Sequence, residues 1–271
     1  MDLTGATVLV TGASSGIGAA TARALAERGA VVGLVARRRD RLEEVLADCR
    51  AHSPDSRLWA ADLSDLAAAE AVTRDAMTAF GGLDVLVNNA GAPKRKHVTS
   101  LTVAEAEQVM RLNYLSPLTM SLTVLPLMLE RRRGVIVNVA SLGGRIGIAT
   151  ESAYCATKFA LAGWSEAAAI DLAGTGVDIR LVNPGAFESE IWDQPENDPP
   201  FFETPKAPPE ECAVAIAAAI EGTAFETYAP DMREIVVSKT QDTDGFVAMM
   251  AELAQQSAAA KSAAVTDGAL A

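Results

Sequence analysis

"VLVTGASSGIGAATARAL", Val8–Leu25, is a strand, a turn and a helix in eighteen residues. "VLV" is a short β-branched and aliphatic run, and "GAATARAL" carries apolar residues at helical spacing. Between them lie Gly12, Gly16 and Gly18. Glycine permits a tight turn and lets a phosphate approach the backbone. A helix that starts there points its first amides at that phosphate. The spacing is G-x-x-x-G-x-G. It is neither the G-x-G-x-x-G of many dinucleotide sites nor, lacking Lys-Ser/Thr, a Walker loop. A glycine turn alone could be purely structural. At the head of a βαβ unit it marks Gly12, Ser14, Ser15, Gly16, Ile17 and Gly18 as candidate cofactor residues.

The same alternation continues along the chain. Strand-like runs are expected at 6–10, 30–35, 57–60, 84–87, 134–139, 177–182 and 234–237. Helical patterns fall between them, at 18–28, 40–50, 66–80, 103–132, 153–172 and 209–221. "GVIVNV" is nearly all apolar, as expected of a strand covered on both faces. Regular β-then-α order predicts an α/β fold: a Rossmann-like, doubly wound, parallel seven-stranded sheet in three layers. A single catalytic domain is expected over 1–240, followed by a C-terminal helix and flexible tail over 241–271. The tail from Ser257 is low in complexity and is expected to fray. The irregular segment Gly185–Pro208 carries Phe187, Trp192, Phe201 and Phe202, which predicts a substrate lid at 186–208.

The second strand ends in Ala36, followed by Arg37 and Arg38. An NAD site commonly offers a carboxylate here to the ribose hydroxyls. Guanidinium groups suit a phosphate instead. The expected cofactor is therefore NADP(H), with Arg37 the main determinant and Arg39 and Arg41 simply opening the next helix.

These residues and those downstream resemble the short-chain dehydrogenase/reductase family. "TGASSGIG" (Thr11–Gly18) matches its cofactor turn and "NNAG" (Asn88–Gly91) its fourth-strand motif. Asn113, Ser141 and "YCATK" (Tyr154–Lys158) match its catalytic tetrad in order, and "NPG" (Asn183–Gly185) matches the turn after its sixth strand. The similarity runs from about residue 4 to 240. It implies cofactor contacts from Asp62 and Leu63 near the adenine, from Asn89, Ala90 and Gly91 along the path to the ribose, and from Pro184 and Gly185 beside the nicotinamide. Tyr154 and Lys158 count among both the catalytic and the cofactor residues. Ser189 stands where the family often has threonine. The resemblance also implies that Asn113 holds a water relaying protons to Lys158. It further implies that the long helices pair across a homodimer or homotetramer.

Tyr154 and Lys158 are one helical turn apart and share a face. Reducing a ketone requires a hydride on carbon and a proton on oxygen. A free phenol, with a pKa near about 10, holds its proton too tightly at neutral pH. An ammonium about 4 Å away, at an effective dielectric of about 20, favours the phenolate by about 4 kcal/mol. Lys158 is therefore expected to tune Tyr154 as the general acid/base, with Ser141 stabilising charge on the substrate oxygen. Such a pair also occurs by chance as packing plus a snorkelling lysine. Ser141 and the upstream glycine turn favour chemistry.

The rest of the chain bounds the function. The 271 residues carry a net charge of −12, which argues against nucleic acid and anionic membranes as partners. No apolar run is expected to reach the length a bilayer needs, and no basic stretch precedes the N-terminal apolar run as in a secretory signal. Cys49, Cys155 and Cys212 are odd in number and form no C-x-x-C, as expected of reduced thiols in the cytoplasm. Two histidines and no thiolate pair leave no expected metal site. Cys155 is read as packing, and Arg131–Arg133 as the end of a helix. Lys94–Lys96 in "PKRKH" would meet a small-molecule acid or form a solvated loop. The expectation is carbonyl and secondary-alcohol interconversion with NADP(H). The alternatives are oxidation of a hydroxy acid or sugar alcohol, and a non-catalytic NADP-binding regulator.

Overall fold

The computed structural model describes residues 1–201 and 204–268, with side chains as far as 259. Phe202 of the expected lid, and 269–271 of the expected tail, lie outside the described residues. Seven parallel strands lie in the order β3-β2-β1-β4-β5-β6-β7. They are β1 (Thr7–Thr11), β2 (Val31–Ala36), β3 (Arg57–Ala60), β4 (Val85–Asn88), β5 (Gly134–Val139), β6 (Val177–Pro184) and β7 (Glu226–Ala229). The chain runs outward from β1 to β3, then returns to lay β4 on the other side of β1. The switch between β1 and β4 opens a crevice at the carboxyl ends of the strands.

Side-chain alternation divides the core in two. Val8 and Val10 of β1 join Val32, Leu34, Leu25 and Ile216 on one face. That layer is covered by α1 (Gly16–Glu27), α2 (Arg39–Arg50) and α7 (Pro209–Glu221). Leu9 points the other way, with Leu86, Ile136, Val72 and Met120. That layer is covered by α3 (Leu66–Phe80), α5 (Ser116–Arg131) and α6 (Ser152–Asp171). The continuous apolar runs follow from this double burial, and every residue of β5 is buried.

The long helical pattern at 103–132 is not uniform. It is α4 (Val103–Met110), a π-helical turn (Arg111–Leu115) and α5. A capping box of Thr102 and Glu105 starts α4. By length and composition alone the stretch Val103–Arg131 could cross a bilayer, contrary to the expectation of no such run. Here Val109, Met120, Val124 and Met128 are buried in the fold.

One expectation near the C-terminus fails. "EIVV" at 234–237 is not a strand; it lies in α8 (Arg233–Gln241). The β6 ladder pairs instead with Glu226–Ala229, and Asp231 Oδ1 accepts from the Arg233 amide at 3.0 Å at the helix start. α9 runs Thr243–Gly268, consistent with the high helix propensity of its alanine-rich end.

Candidate active site

A cavity of about 810 Å³ opens at the carboxyl edge of the sheet. Every cofactor candidate named from the sequence, from Gly12 through Asp62 and Gly91 to Gly185, lines it. Ser141, Tyr154 and Lys158 line it as well, whereas Asn113 lies behind the wall.

The glycine turn is shaped by contact. Gly12 has φ +68°, and a Cβ there would lie 2.9 Å from the Ala90 Cα. A Cβ on Gly18 would overlap the Gly12 carbonyl oxygen. The turn therefore nests against "NNAG", and Thr11 holds the two together. Its Oγ1 accepts from the amides of Asn89 (2.9 Å) and Ala90 (3.0 Å) and donates to the Val87 carbonyl at 3.2 Å. Asn89 Nδ2 donates to the Thr11 carbonyl at 2.9 Å. Ser15 precedes α1 without a side-chain cap bond. The first amides of α1 therefore face the cavity free of side-chain capping, as a pyrophosphate requires. Asp62 accepts from the amide and hydroxyl of Ser64 at 2.9 and 2.8 Å. These bonds hold its carboxyl below the ordinary carboxylate range.

The two arginines behave differently. Arg38 Nη2 donates to Ser14 Oγ (3.2 Å) and Ser15 Oγ (3.1 Å), and pairs with Glu190 Oε2 at 2.7 Å. Arg37 is exposed at the cavity rim. The structure thus brings Arg38, which was ranked second, into the turn itself.

At the other end, α6 carries Tyr154 and Lys158 along one face. Lys158 is 4% exposed, and its Nζ donates to the Val139 carbonyl at 3.0 Å. Burial pushes its pKa down to about 8. Nζ lies 5.8 Å from the Tyr154 ring centroid. Burial of the Tyr154 hydroxyl drives its pKa well above the ordinary phenol value. The Ser141 hydroxyl beside it pulls the other way, Glu151 adds to the rise, and Arg95 weakly opposes it. Lys158 is not among the groups that lower the Tyr154 pKa in the folded chain, where desolvation dominates. Desolvation acts on both groups, favouring neutral phenol and neutral amine together, and the Val139 carbonyl takes a bond from the amine.

Asn113 sits in the π turn, 1% exposed. Its Nδ2 donates to the Ala92 carbonyl (2.9 Å) and Thr157 Oγ1 (3.1 Å), and its Oδ1 accepts from the Ala92 amide at 2.9 Å. Thr157 in turn donates to the Tyr154 carbonyl at 2.7 Å. The Asn113 side chain thus ties the "NNAG" loop to α6 and has both its N–H groups committed. Ser141 Oγ accepts from the Gly143 amide at 3.1 Å, which fixes the serine at the end of β5.

The segment 186–201 covers the cavity. Its base is closed by the Glu188 amide on the Ala207 carbonyl (2.9 Å) and the Ala207 amide on the Ala186 carbonyl (3.0 Å). Arg95 is 2% exposed and fastens it. Its guanidinium donates to the carbonyls of Asp198 (3.0 Å), Ile191 (3.3 Å) and Trp192 (2.8 Å). Lys94 and Lys96 both pair with Glu105, at 3.4 and 2.6 Å. One carboxylate thus serves both lysines, while Arg95, hydrogen-bonded to neutral carbonyls, keeps its positive charge at the cavity wall. Sequence reasoning missed the lid-fastening role of Arg95, and missed Glu151 and the C-terminal wall of Met232, Phe246, Met249 and Met250. Only the last left a signal, the apolar spacing of "GFVAMM". Cys155 is buried, with its thiol pushed up to about 11, as packing requires.

The family model for short chain dehydrogenases matches residues 6–199. The chain belongs to the short-chain dehydrogenases. It is 38% identical over 183 residues to ketoacyl reductase HetN of a Nostoc species, covering 68% of this chain and 64% of that protein. The chain thus spans less than two thirds of the length of that relative. A metagenomic short-chain oxidoreductase solved with NADP is 32% identical, with TM-score 0.70, covering 83% of this chain and 97% of that one. A Burkholderia phymatum member solved with NAD shares the fold at TM-score 0.82 and 23% identity, covering 90% of this chain and 96% of that one.

Proposed function

We propose that the protein is an NADP(H)-dependent oxidoreductase interconverting a carbonyl and a secondary alcohol. One observation carries this reading. A single cavity joins an uncapped helix N-terminus with two arginines at one end to Ser141, Tyr154 and Lys158 at the other. The residues fit a dinucleotide: the α1 amides face the pyrophosphate, Arg38 and Arg37 the 2′-phosphate, and Asp62 the adenine. The bound cofactor supplies the hydride and, when oxidised, one positive charge near the phenol. The chain's own residues then have three tasks. Ser141 orients the substrate oxygen, Tyr154 exchanges a proton with it, and Lys158 supports the phenolate and holds the ribose. Asn113 is a positioning residue that keeps α6 against the "NNAG" loop.

The substrate half of the cavity is mostly apolar, with Ile148, Trp192, Phe201, Phe246 and Met249 in its wall. This favours medium-sized, partly apolar carbonyl compounds. The pairing of Lys94 and Lys96 with Glu105 lessens the charge that would favour a hydroxy acid, and leaves Arg95 as the cation of that loop in the cavity wall. Leu122, Leu129, Phe159 and Ile170 are exposed on α5 and α6, supporting pairing of these helices across a homodimer or homotetramer. The test is loss of NADPH absorbance against a panel of ketones, aldehydes and keto acids. Turnover by wild type, with Tyr154→Phe reduced at least about a hundredfold but still binding NADPH, is the expected result. Tight NADPH binding with no turnover of any panel member would favour a regulator instead.

A further inference from the structure

Arg38, Ser14 and Ser15 form a compact anion site on the cofactor side of the cavity, and a carboxylate of the lid already engages it. Arg38 Nη2 spans both serine hydroxyls and Glu190 Oε2. The Ser15 hydroxyl also hydrogen-bonds that carboxylate, which these partners keep below the ordinary carboxylate range. All four residues line the same cavity. Glu190 is held near this position from its neighbours, because Arg95 grips the carbonyls of Ile191 and Trp192. Two hydroxyls and a guanidinium are the donor set that a phosphate monoester uses. A carboxylate is the smaller anion that can take the same donors.

We propose that Glu190 is a determinant of cofactor choice: it competes with the 2′-phosphate of NADP(H) for Arg38 and Ser15, and so restrains an otherwise stronger preference over NAD(H). The inference rests on the NADP(H) reading given above. A 2′-phosphate carries up to two negative charges and must displace the carboxylate or share the guanidinium with it. A ribose hydroxyl at the same place is neutral, and the carboxylate can accept a hydrogen bond from it. Glu190 therefore penalises the phosphorylated cofactor and spares the other. Both partners in the ion pair are nearly half exposed, at 43% and 49%, so the effect is modest.

The test is titration of the full chain with NADPH and NADH, and with the fragments adenosine 2′,5′-bisphosphate and 5′-AMP, for wild type, Glu190→Gln, Glu190→Ala and Arg38→Ala. Removing the charge should tighten NADPH and the bisphosphate by about three- to tenfold, the scale of an exposed ion pair plus relief of repulsion. NADH and 5′-AMP should change less than about twofold, on the same exposed-pair scale. Arg38→Ala should weaken NADPH and the bisphosphate selectively. An unchanged NADPH/NADH ratio in both Glu190 variants, or equal tightening of both cofactors, overturns the proposal. An Arg38→Ala protein that keeps the wild-type ratio also overturns it, and leaves the phosphate to Arg37. A wild type that binds NADH as tightly as NADPH refutes the NADP(H) preference alone. Glu190 would then still be judged by the shift in its own variants.

Discussion

Replacing Lys158 with methionine should abolish turnover and stabilise the fold. Methionine keeps an unbranched apolar chain of similar length and removes the amine. The Lys158 pKa falls from 10.5 to about 8 because the group is buried, and among the described residues no carboxylate offsets the cost. At neutral pH, keeping the ammonium charged costs about 3 kcal/mol, at about 1.4 kcal/mol per pH unit. Losing the bond to the Val139 carbonyl returns about 1 kcal/mol of that. The net gain at pH 7 is about 2 kcal/mol, or roughly 4–6 °C in Tm for a chain of this size. The sign with pH is definite. Between about 8 and 10.5 the unfolded chain binds more protons at this lysine than the folded one, so wild-type stability rises with pH across that window. The methionine variant lacks the rise. Urea unfolding of both proteins, without added cofactor, should show an advantage of about 2 kcal/mol at pH 7 that closes to about zero near pH 10. A variant no more stable at pH 7, or an advantage independent of pH, would refute the reasoning.

Other perturbations probe the same geometry. Glu151 raises the Tyr154 pKa, so Glu151→Gln should lower it, moving the rise of alcohol oxidation with pH to lower pH by up to about one unit; an unshifted kcat profile would contradict this. Arg95→Met removes three bonds to lid carbonyls and should raise the substrate KM about tenfold, the scale of one or two lost bonds, with faster amide exchange over 187–198; unchanged exchange would sink it. Asn113→Ala should cost about 2–3 kcal/mol of stability by orphaning both backbone groups of Ala92, read by urea unfolding; a loss below about half a kilocalorie would mean water replaces the carboxamide.

Much of the architecture was legible because it depends on local pattern. Six of the seven strands fall within a residue or two of their apolar runs, since burial on both faces leaves little room for other residues. The seventh was misread because "EIVV" has β-branched residues without a strand's neighbours. The edge position went to "ETYA", the segment that β6 can reach. The site residues were legible as motifs, and they meet in one cavity because the topology brings the ends of β1, β2, β4, β5 and β6 together. Contacts that join distant segments were not legible. Arg95 and Asp198 are 103 positions apart, and Arg38 and Glu190 meet only through the fold of the lid. No period of 2 or 3.6 encodes such pairs.

The electrostatics of the tyrosine and lysine were beyond reach of spacing for a related reason. A separation of four residues places two side chains on one face, and says nothing of how deeply that face is buried. In the folded chain, desolvation opposes charge on both, raising the affinity of the half-buried phenol for its proton and lowering that of the buried amine. The opposing pull comes from Ser141 and Arg95, against Glu151. A phenol kept protonated at rest can give its proton to a nascent alkoxide because the alkoxide is the stronger base. The reverse direction needs added positive charge near the phenol. For the carbonyl–alcohol interconversion proposed above, alcohol oxidation should therefore gain as pH rises.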